Sequence, residues 1–146
     1  MKKGQKMSFK EYRKLETSSK VGELSKICNF VAQECQRLSF DKEDTIRLLT
    51  VVSEAVSNIM RHAYEGQDDK PIVIELNLYE NKIVITFSDW GKEFNPGEVA
   101  SPVFDGTREG GYGWFIINHY TDETHYCHNG DGKNTLTVVK VFNKKK

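Results

Sequence analysis

The sequence predicts a two-layer α+β domain in which helices cover one face of a mainly antiparallel, mixed sheet. Apolar residues at helical three-and-four spacing fill the first part of the chain, and alternating apolar and polar residues dominate the rest. The chain has 146 residues, 38% of them hydrophobic, which is enough for one core and too little for two ordinary domains. We therefore expect a single domain over residues 18–143, after a tail with an edge strand at 1–17 and before a basic tail at 144–146.

Two helices are predicted first. One spans about Ser19 to Leu38, where the apolar residues fall on a single helix face. Asp41 or Asp44 can cap a second helix, which runs to about Tyr64 and ends before Gly66.

Strands joined by turn-forming residues make up most of the remaining chain, with one loop and one short helix between them. In order, the predicted elements are a strand from Pro71 to Leu78, a turn at 80–82, a strand from Ile83 to Ser88, a long loop from Trp90 to Tyr112, a helix from about Gly113 to Tyr120, and strands near Glu123–His128 and Asn134–Phe142.

Composition excludes several classes of function. The 21 basic and 21 acidic residues cancel, which argues against a nucleic-acid partner, and the closing run at 144–146 is interpreted as a solubilising end. No run of 18 apolar residues occurs, so we expect a soluble, unsecreted, cytoplasmic protein without a membrane partner. Cys28, Cys35 and Cys127 lack a metal-binding spacing and are interpreted as packing residues without redox or metal chemistry.

A polar stripe on the second predicted helix is the first candidate for function. Glu54 and Asn58 are one turn apart, and Arg61 continues the same line on a helix whose other face is apolar. Taken alone, a solvated ion pair between Glu54 and Arg61 explains this stripe as well as a site does.

The side chains of the stripe suit phosphate chemistry. Asn58 offers a carbonyl oxygen to Mg²⁺, which takes few protein oxygens beside phosphate and water oxygens. Glu54 would then lie where it can orient a hydroxyl or water that attacks a terminal phosphate. Because a carboxylate is a weak base at neutral pH, its main contribution would be positioning, with proton acceptance as the new bond forms.

Two later segments complete the candidate pocket. Asp89 ends a predicted strand and can accept a hydrogen bond from an exocyclic amine, while Gly91 permits a flat ring to approach the backbone; together they describe an adenine pocket. Gly110, Gly111 and Gly113 lead into a helix and offer unobstructed N–H groups to phosphates, although a plain flexible turn explains them equally well.

Three motifs in this order resemble the N, G1 and G2 boxes of the histidine-kinase-like ATPase (GHKL) superfamily. The single-domain form and the Arg-His-Ala-Tyr sequence resemble most closely the bacterial anti-sigma factor serine/threonine kinases. The resemblance covers about residue 20 to the C-terminus and implies a Bergerat-type ATP-binding fold. The motifs are Glu54-x-x-x-Asn58 followed by Arg61-His62-Ala63-Tyr64, then Asp89-x-Gly91-x-x-Phe94, and Glu109-Gly110-Gly111-Tyr112-Gly113.

The resemblance also implies roles for individual residues, with ATP and Mg²⁺ as cofactors. Glu54 is then the catalytic carboxylate and Asn58 the metal ligand. His62 is interpreted as a packed or hydrogen-bonded helix residue, and Arg108 is either a phosphate contact or an exposed loop arginine. The residues implied around ATP are Asn58, Arg61, Asp89, Gly91, Phe94, Arg108, Gly110, Gly111, Gly113 and Thr135.

The implied activity is phosphorylation of a serine or threonine on a small antagonist protein, with a sigma factor or similar regulator as a second partner and a homodimer as the assembly. A non-catalytic ATP-binding module and an ATPase switch use the same pocket and stay open. Trp90, the pair Lys92 and Glu93, and Trp114 depart from the family pattern, so the adenine side and the lid are expected to be shaped unusually. No phosphoacceptor helical hairpin precedes the domain, so we expect the acceptor to be another protein.

Overall fold

The computed structural model describes residues 10–93 and 113–142. Within them, five strands form one sheet in the order β1-β2-β3-β5-β4, and each neighbouring pair is antiparallel. No parallel pair occurs in the described sheet, so the mixed character that the sequence suggested is absent from it. The elements are β1 (Glu11–Ser18), α1 (Glu23–Arg37), α2 (Lys42–Asn58), a π-helical turn (Ile59–Ala63), β2 (Pro71–Leu78), β3 (Lys82–Asp89), α3 (Gly113–His119), β4 (Glu123–His128) and β5 (Asn134–Val141).

The helices form where the apolar spacing predicts them. In α1, Ile27, Val31 and Cys35 recur every four residues and are fully buried. α1 begins at Glu23, about one turn later than predicted, because residues 19–22 connect β1 to the helix. Asp41 caps α2 by accepting the Asp44 N–H at 3.0 Å, which satisfies one of the free donors at the helix start.

The sheet buries one face and leaves the other partly exposed. The alternating apolar positions of β2, β3 and β5 point into the core, where α1 and α2 cover them. β1 lies at one edge of the sheet, and the division into a domain and two tails stays a prediction. The core side chains of these strands are Ile72, Ile74, Leu76, Leu78, Ile83, Ile85, Phe87, Leu136 and Val138.

A π-helical turn ends the second helix. The Tyr64 N–H bonds to the Ile59 carbonyl five residues earlier, at 2.9 Å, instead of to the carbonyl four residues earlier. Each turn therefore takes more residues than in an α-helix, and the side chains after Asn58 fall out of line with those before it. Turns of this kind are frequent at functional sites.

The described cysteines differ in exposure. Cys35 is buried, Cys28 is half-buried on the same helix, and Cys127 is exposed on β4. Burial raises the pKa of the Cys35 thiol to about 11, so this thiol stays protonated and unreactive at neutral pH. Among the helices in residues 10–93 and 113–142, none combines the length and the apolar character that crossing a membrane requires.

Candidate functional site

The structure brings the polar stripe of α2 against the first residue of α3. A Cβ atom placed on Gly113 would lie 2.8 Å from Glu54 Oε1, 3.5 Å from Asn58 Nδ2 and 3.6 Å from Asn58 Oδ1. The absence of a side chain at Gly113 therefore lets α3 approach the carboxylate and the carboxamide. Three predicted site residues from distant parts of the chain meet at this point.

The geometry does not support an ion pair as the reason for the stripe. Among the residues that the structure describes, Glu54 forms no salt bridge with Arg61, whose side chain is exposed. The π-helical turn after Asn58 rotates Arg61 away from the line that an uninterrupted α-helix would give. Arg47, which lies on the same line two turns earlier, pairs with Asp44 at 3.2 Å. Glu54 and Asn58 thus remain together while Arg61 is displaced.

Asp89, the last residue of β3, presents a fixed carboxylate. The residue is 5% exposed, and its Oδ1 accepts the Gly91 N–H at 2.9 Å and the Asn134 Nδ2–H at 2.8 Å. Burial raises the pKa of the Asp89 carboxyl above its usual value, and the two hydrogen bonds and the nearby His128 partly oppose this shift. Both hydrogen bonds from described residues end on Oδ1, so Oδ2 is the oxygen available to a ligand.

Asn134, and not Thr135, lies beside Asp89. The register pairs Asp89 with Asn134, and side chains alternate between the two faces of a strand, so the Thr135 side chain points to the opposite face. The structure therefore does not bring Thr135 to Asp89, and the adenine contact that the family resemblance implies for Thr135 stays a prediction. Asn134 was missed from the sequence, although it is in phase with the buried Leu136 and Val138 and this alternation marks it as facing the core.

Gly91 is required by packing. A Cβ atom at this position would lie 2.4 Å from the Ala63 carbonyl oxygen and 2.8 Å from Tyr64 Cδ1. The next residue, Lys92, donates its N–H to the same Ala63 carbonyl at 2.8 Å. The glycine thus lets the end of β3 dock on the π-helical turn, a physical reason that differs from the predicted approach of a flat ring.

Tyr64 fixes the same junction and was also missed from the sequence. Its buried hydroxyl donates to the Pro71 carbonyl at 2.6 Å and accepts the Trp90 N–H at 2.8 Å. One side chain therefore joins the end of the second helix to the start of β2 and the end of β3. The bond to Trp90 ties the residue next to Asp89 to the end of the second helix.

A small cavity lies between α2 and the end of the sheet. The helix side contributes apolar groups and the Asn58 carboxamide, and the sheet side contributes apolar groups, the Asp89 carboxylate and the Asn134 carboxamide. Asn58 and Asp89 therefore open onto one cavity, while Phe94, Arg108, Gly110, Gly111 and most of the predicted loop lie outside the described residues. The lining residues are Ala55, Asn58, Ile59, Ala63, Phe87, Asp89, Lys92, Tyr126, Asn134 and Leu136.

The structure also describes three residues near the motifs that the sequence analysis named: His62, Trp90 and Trp114. The His62 side chain is largely exposed. The pKa of its imidazole is lowered by the burial of part of the ring and by the positive charges of Arg61 and Lys92. Trp114 is partly buried and packs against the core. Trp90 is 42% exposed, and Lys133 Nζ lies 5.8 Å from the centre of its ring.

The fold and the site define a class of protein. An antiparallel sheet covered on one face by helices, with the buried Asp89 carboxylate and the Asn58 carboxamide lining a cavity between the layers, is a two-layer α+β domain with a candidate ligand site between its layers. The histidine kinase-like ATPase domain family matches residues 17–140, and the chain belongs to this family. The predicted family and fold class are thereby confirmed.

Individual relatives narrow the comparison. The chain is 31% identical over 118 residues to the serine-protein kinase RsbW of Listeria monocytogenes serotype 4a, covering 75% of this chain and 73% of that protein. It is 31% identical over 120 residues to the anti-sigma F factor of Bacillus cytotoxicus, covering 80% of each. A crystal structure of the RsbU and RsbW domains of a Mycobacterium tuberculosis protein matches with a TM-score of 0.66 at 15% identity. That match covers 91% of this chain and 33% of the longer one, and it shows the shared fold.

Proposed function

We propose that this protein is an ATP-dependent serine/threonine kinase of the anti-sigma factor type. It phosphorylates a small antagonist protein and binds a sigma factor or similar regulator, in the cytoplasm and as a homodimer. Its membership of the histidine kinase-like ATPase family and the names of its relatives support this proposal. The observation that carries it is the meeting of Glu54, Asn58 and Gly113 where α3 contacts α2, together with the cavity that Asn58 shares with Asp89.

The residues present fit an adenine nucleotide with Mg²⁺. Asp89 offers a buried acceptor oxygen to an exocyclic amine, and Asn58 offers a hard oxygen ligand to the metal. Gly113 leaves free the space in front of Glu54 and Asn58 that a side chain would fill. Mg·ATP, when bound, supplies the phosphoryl group and the neutralising charge. Phe94, Arg108, Gly110 and Gly111 stay predicted contacts, as does the exposed Arg61.

Glu54 carries the chemical role in this proposal. Its Oε1 lies 2.8 Å from the position that a Cβ atom on Gly113 would take, so the carboxylate stands at the boundary between α2 and α3. There it accepts a hydrogen bond from the serine or threonine hydroxyl of the antagonist protein and orients the oxygen for attack. As the new oxygen–phosphorus bond forms, the bond between the γ-phosphorus and the β–γ bridging oxygen breaks and ADP leaves, while the hydroxyl proton passes to the Glu54 carboxylate.

Glu54→Gln tests this role. We expect the variant to bind Mg·ATP within about threefold of the parent, because the amide preserves shape, and to lose phosphoryl transfer by roughly 10²-fold or more. Binding is measured by calorimetry, and transfer is measured with labelled ATP and the products of neighbouring genes. Glu43→Gln, at an exposed position at the start of the same helix, is the matched control and should transfer phosphate at the parent rate.

Each result has a defined meaning. Transfer that is unchanged in Glu54→Gln would make this carboxylate structural. A parent protein that binds Mg·ATP and a sigma factor but labels no serine would instead be a regulatory binding module or an ATPase switch. No heat and no thermal shift at saturating Mg·ATP would refute the nucleotide-binding function itself.

A further inference from the structure

Three polar side chains form a row across β3, β5 and β4. Asn134 is paired in register with Asp89 on one side and with His128 on the other. Asn134 Nδ2 donates to Asp89 Oδ1 at 2.8 Å, and Asn134 Oδ1 lies 2.5 Å from His128 Nδ1. Asn134 is 1% exposed, whereas His128 is exposed on the edge strand. A continuous hydrogen-bonded chain thus runs from the edge of the sheet to the cavity.

The donors and acceptors in this row have only one consistent arrangement. A carboxamide oxygen can only accept, so His128 Nδ1 must carry the hydrogen in its bond to Asn134. The two hydrogens of Asn134 Nδ2 go to Asp89 Oδ1 and, at 3.1 Å, to the Gly91 carbonyl. An amide rotated by 180° would set its oxygen against the Asp89 carboxylate and lose the hydrogen bonds to Asp89, to the Gly91 carbonyl and to His128. His128 therefore holds the orientation in which Asn134 donates to Asp89.

The arrangement also decides which oxygen of Asp89 can bind a ligand. Oδ1 is occupied by the Gly91 N–H and by Asn134, while Asp89 and Asn134 both line the cavity. A carboxylate in this position accepts a hydrogen bond from a donor on the ligand and repels an acceptor on the ligand. A site built around a buried acceptor discriminates strongly, because a ligand without the donor leaves that acceptor unpaired.

We propose that Asn134 is a positioning residue that makes the site selective for 6-aminopurine nucleotides by fixing the Asp89 carboxylate, and that His128 holds Asn134 in place. The proposal rests on the nucleotide function above. It predicts that selectivity depends on Asn134 and His128 through their effect on the Asp89 carboxylate. A 6-oxopurine presents an acceptor to Asp89, and a purine without a 6-substituent presents neither a donor nor an acceptor.

Binding of paired nucleotides tests the proposal without any catalytic readout. Calorimetry measures the Kd of Mg·ATP and of the Mg complex of purine riboside triphosphate, which lacks only the 6-amino group. We expect the parent to prefer ATP by about tenfold or more. In Asn134→Leu, which has a similar shape but no donor, this preference should fall at least about fivefold, with little change for the analogue. A general packing defect would weaken both nucleotides alike and leave the ratio unchanged.

Variants of His128 test the second half of the row at an exposed position where folding is not at risk. In His128→Asn, the amide nitrogen can stand near the place of Nδ1 and donate to Asn134, so the preference for ATP should survive. In His128→Leu that donor is lost and the preference should decrease. His125→Leu on the same strand is the matched control, because His125 is exposed and lies opposite Thr137, outside the row.

The outcomes separate this inference from the function on which it rests. A parent protein that binds no Mg·ATP, or binds both nucleotides equally, contradicts the proposed adenine site. A parent that prefers ATP while Asn134→Leu keeps the same preference overturns the role of Asn134. Nitrogen-15 spectra of the nucleotide-free protein add an independent test, because a neutral His128 ring with its hydrogen on Nε2 would overturn the role of His128.

Discussion

Gly113→Ala should damage phosphoryl transfer while leaving the fold almost untouched. The new Cβ would lie 2.8 Å from Glu54 Oε1, and an ordinary contact needs at least 3.4 Å, so the carboxylate oxygen must retreat by about 0.6 Å. Because this oxygen ends a flexible side chain, the retreat costs only about 0.5–1.5 kcal/mol of rotamer strain. Alanine in place of glycine gains up to about 1 kcal/mol of helix propensity, so the two effects nearly cancel.

A displacement of this size matters far more for the chemistry. Misplacing a positioning group by about 1 Å can reduce a rate about 10²-fold, so we expect a 10- to 100-fold loss of transfer to the antagonist protein. The assay combines single-turnover transfer from labelled ATP with urea denaturation of the same samples. Gly22→Ala is the control, because nothing lies within 4 Å of its Cβ position and its φ of −63° suits alanine.

Gly91→Ala provides the contrasting case. Its Cβ would lie 2.4 Å from the Ala63 carbonyl oxygen, a backbone atom that cannot move without disturbing the π-helical turn, so the free energy of unfolding should fall by roughly 2–4 kcal/mol.

Full transfer by stable Gly113→Ala protein would refute the placement of Glu54 at the reacting group. Equal stability losses in the two variants would refute the difference between side-chain and backbone contacts.

Three further variants or treatments test the site and its frame. Asp89→Asn should keep the fold, because its amide oxygen can accept the same two hydrogen bonds, and should bind ATP about tenfold more weakly by calorimetry. Burial raises the pKa of the Asp89 carboxyl, so ionisation of this group destabilises the native state. The free energy of unfolding of the parent, measured by urea denaturation relative to Asp89→Asn, should therefore fall as pH rises through that pKa. A difference that stays constant with pH would contradict this. Tyr64→Phe should cost roughly 1–3 kcal/mol because it leaves two backbone groups unpaired, whereas Tyr12→Phe, at a half-exposed hydroxyl, should stay within about 0.5 kcal/mol by the same measurement. Ellman's reagent should modify Cys127 in the native protein and reach Cys35 only after unfolding, and rapid native modification of Cys35 would disprove its burial.

Local patterns in the chain account for most of the secondary structure. The strands at Glu123–His128 and Asn134–Val141 agree with prediction to within a residue, because alternation and Asn-Gly and Asp-Gly turns act between near neighbours. The cap at Asp41 is also local, since it depends on one side chain and an N–H three residues later. The π-helical turn could not be predicted, because the Ala63 carbonyl in it accepts the N–H of Lys92, in the distant segment that follows β3.

The candidate site divides in the same way. Glu54, Asn58, Asp89, Gly91 and Gly113 could be selected from residue type and spacing, since each motif is contiguous in the chain. Asn58 and Asp89 line one cavity, and Glu54 and Gly113 meet beside Asn58, only because α3 packs on α2 and the end of β3 docks on the π-helical turn. Gly91 has a packing role in the structure, since its closest neighbour is a backbone carbonyl, and its contact with a flat ring stays a prediction.

The sequence by itself determined the order and type of the elements and the chemical groups available to the site, because both follow from local periodicity and composition. Only the tertiary structure decided which residue of β5 lies beside Asp89, because that depends on the register between two strands far apart in the chain. Side chains alternate with a period of two, so a difference of one residue exchanges Thr135 for Asn134 beside Asp89. The pairing of β5 between β3 and β4 then joins Asn134 to His128, a contact that no single segment of the chain contains.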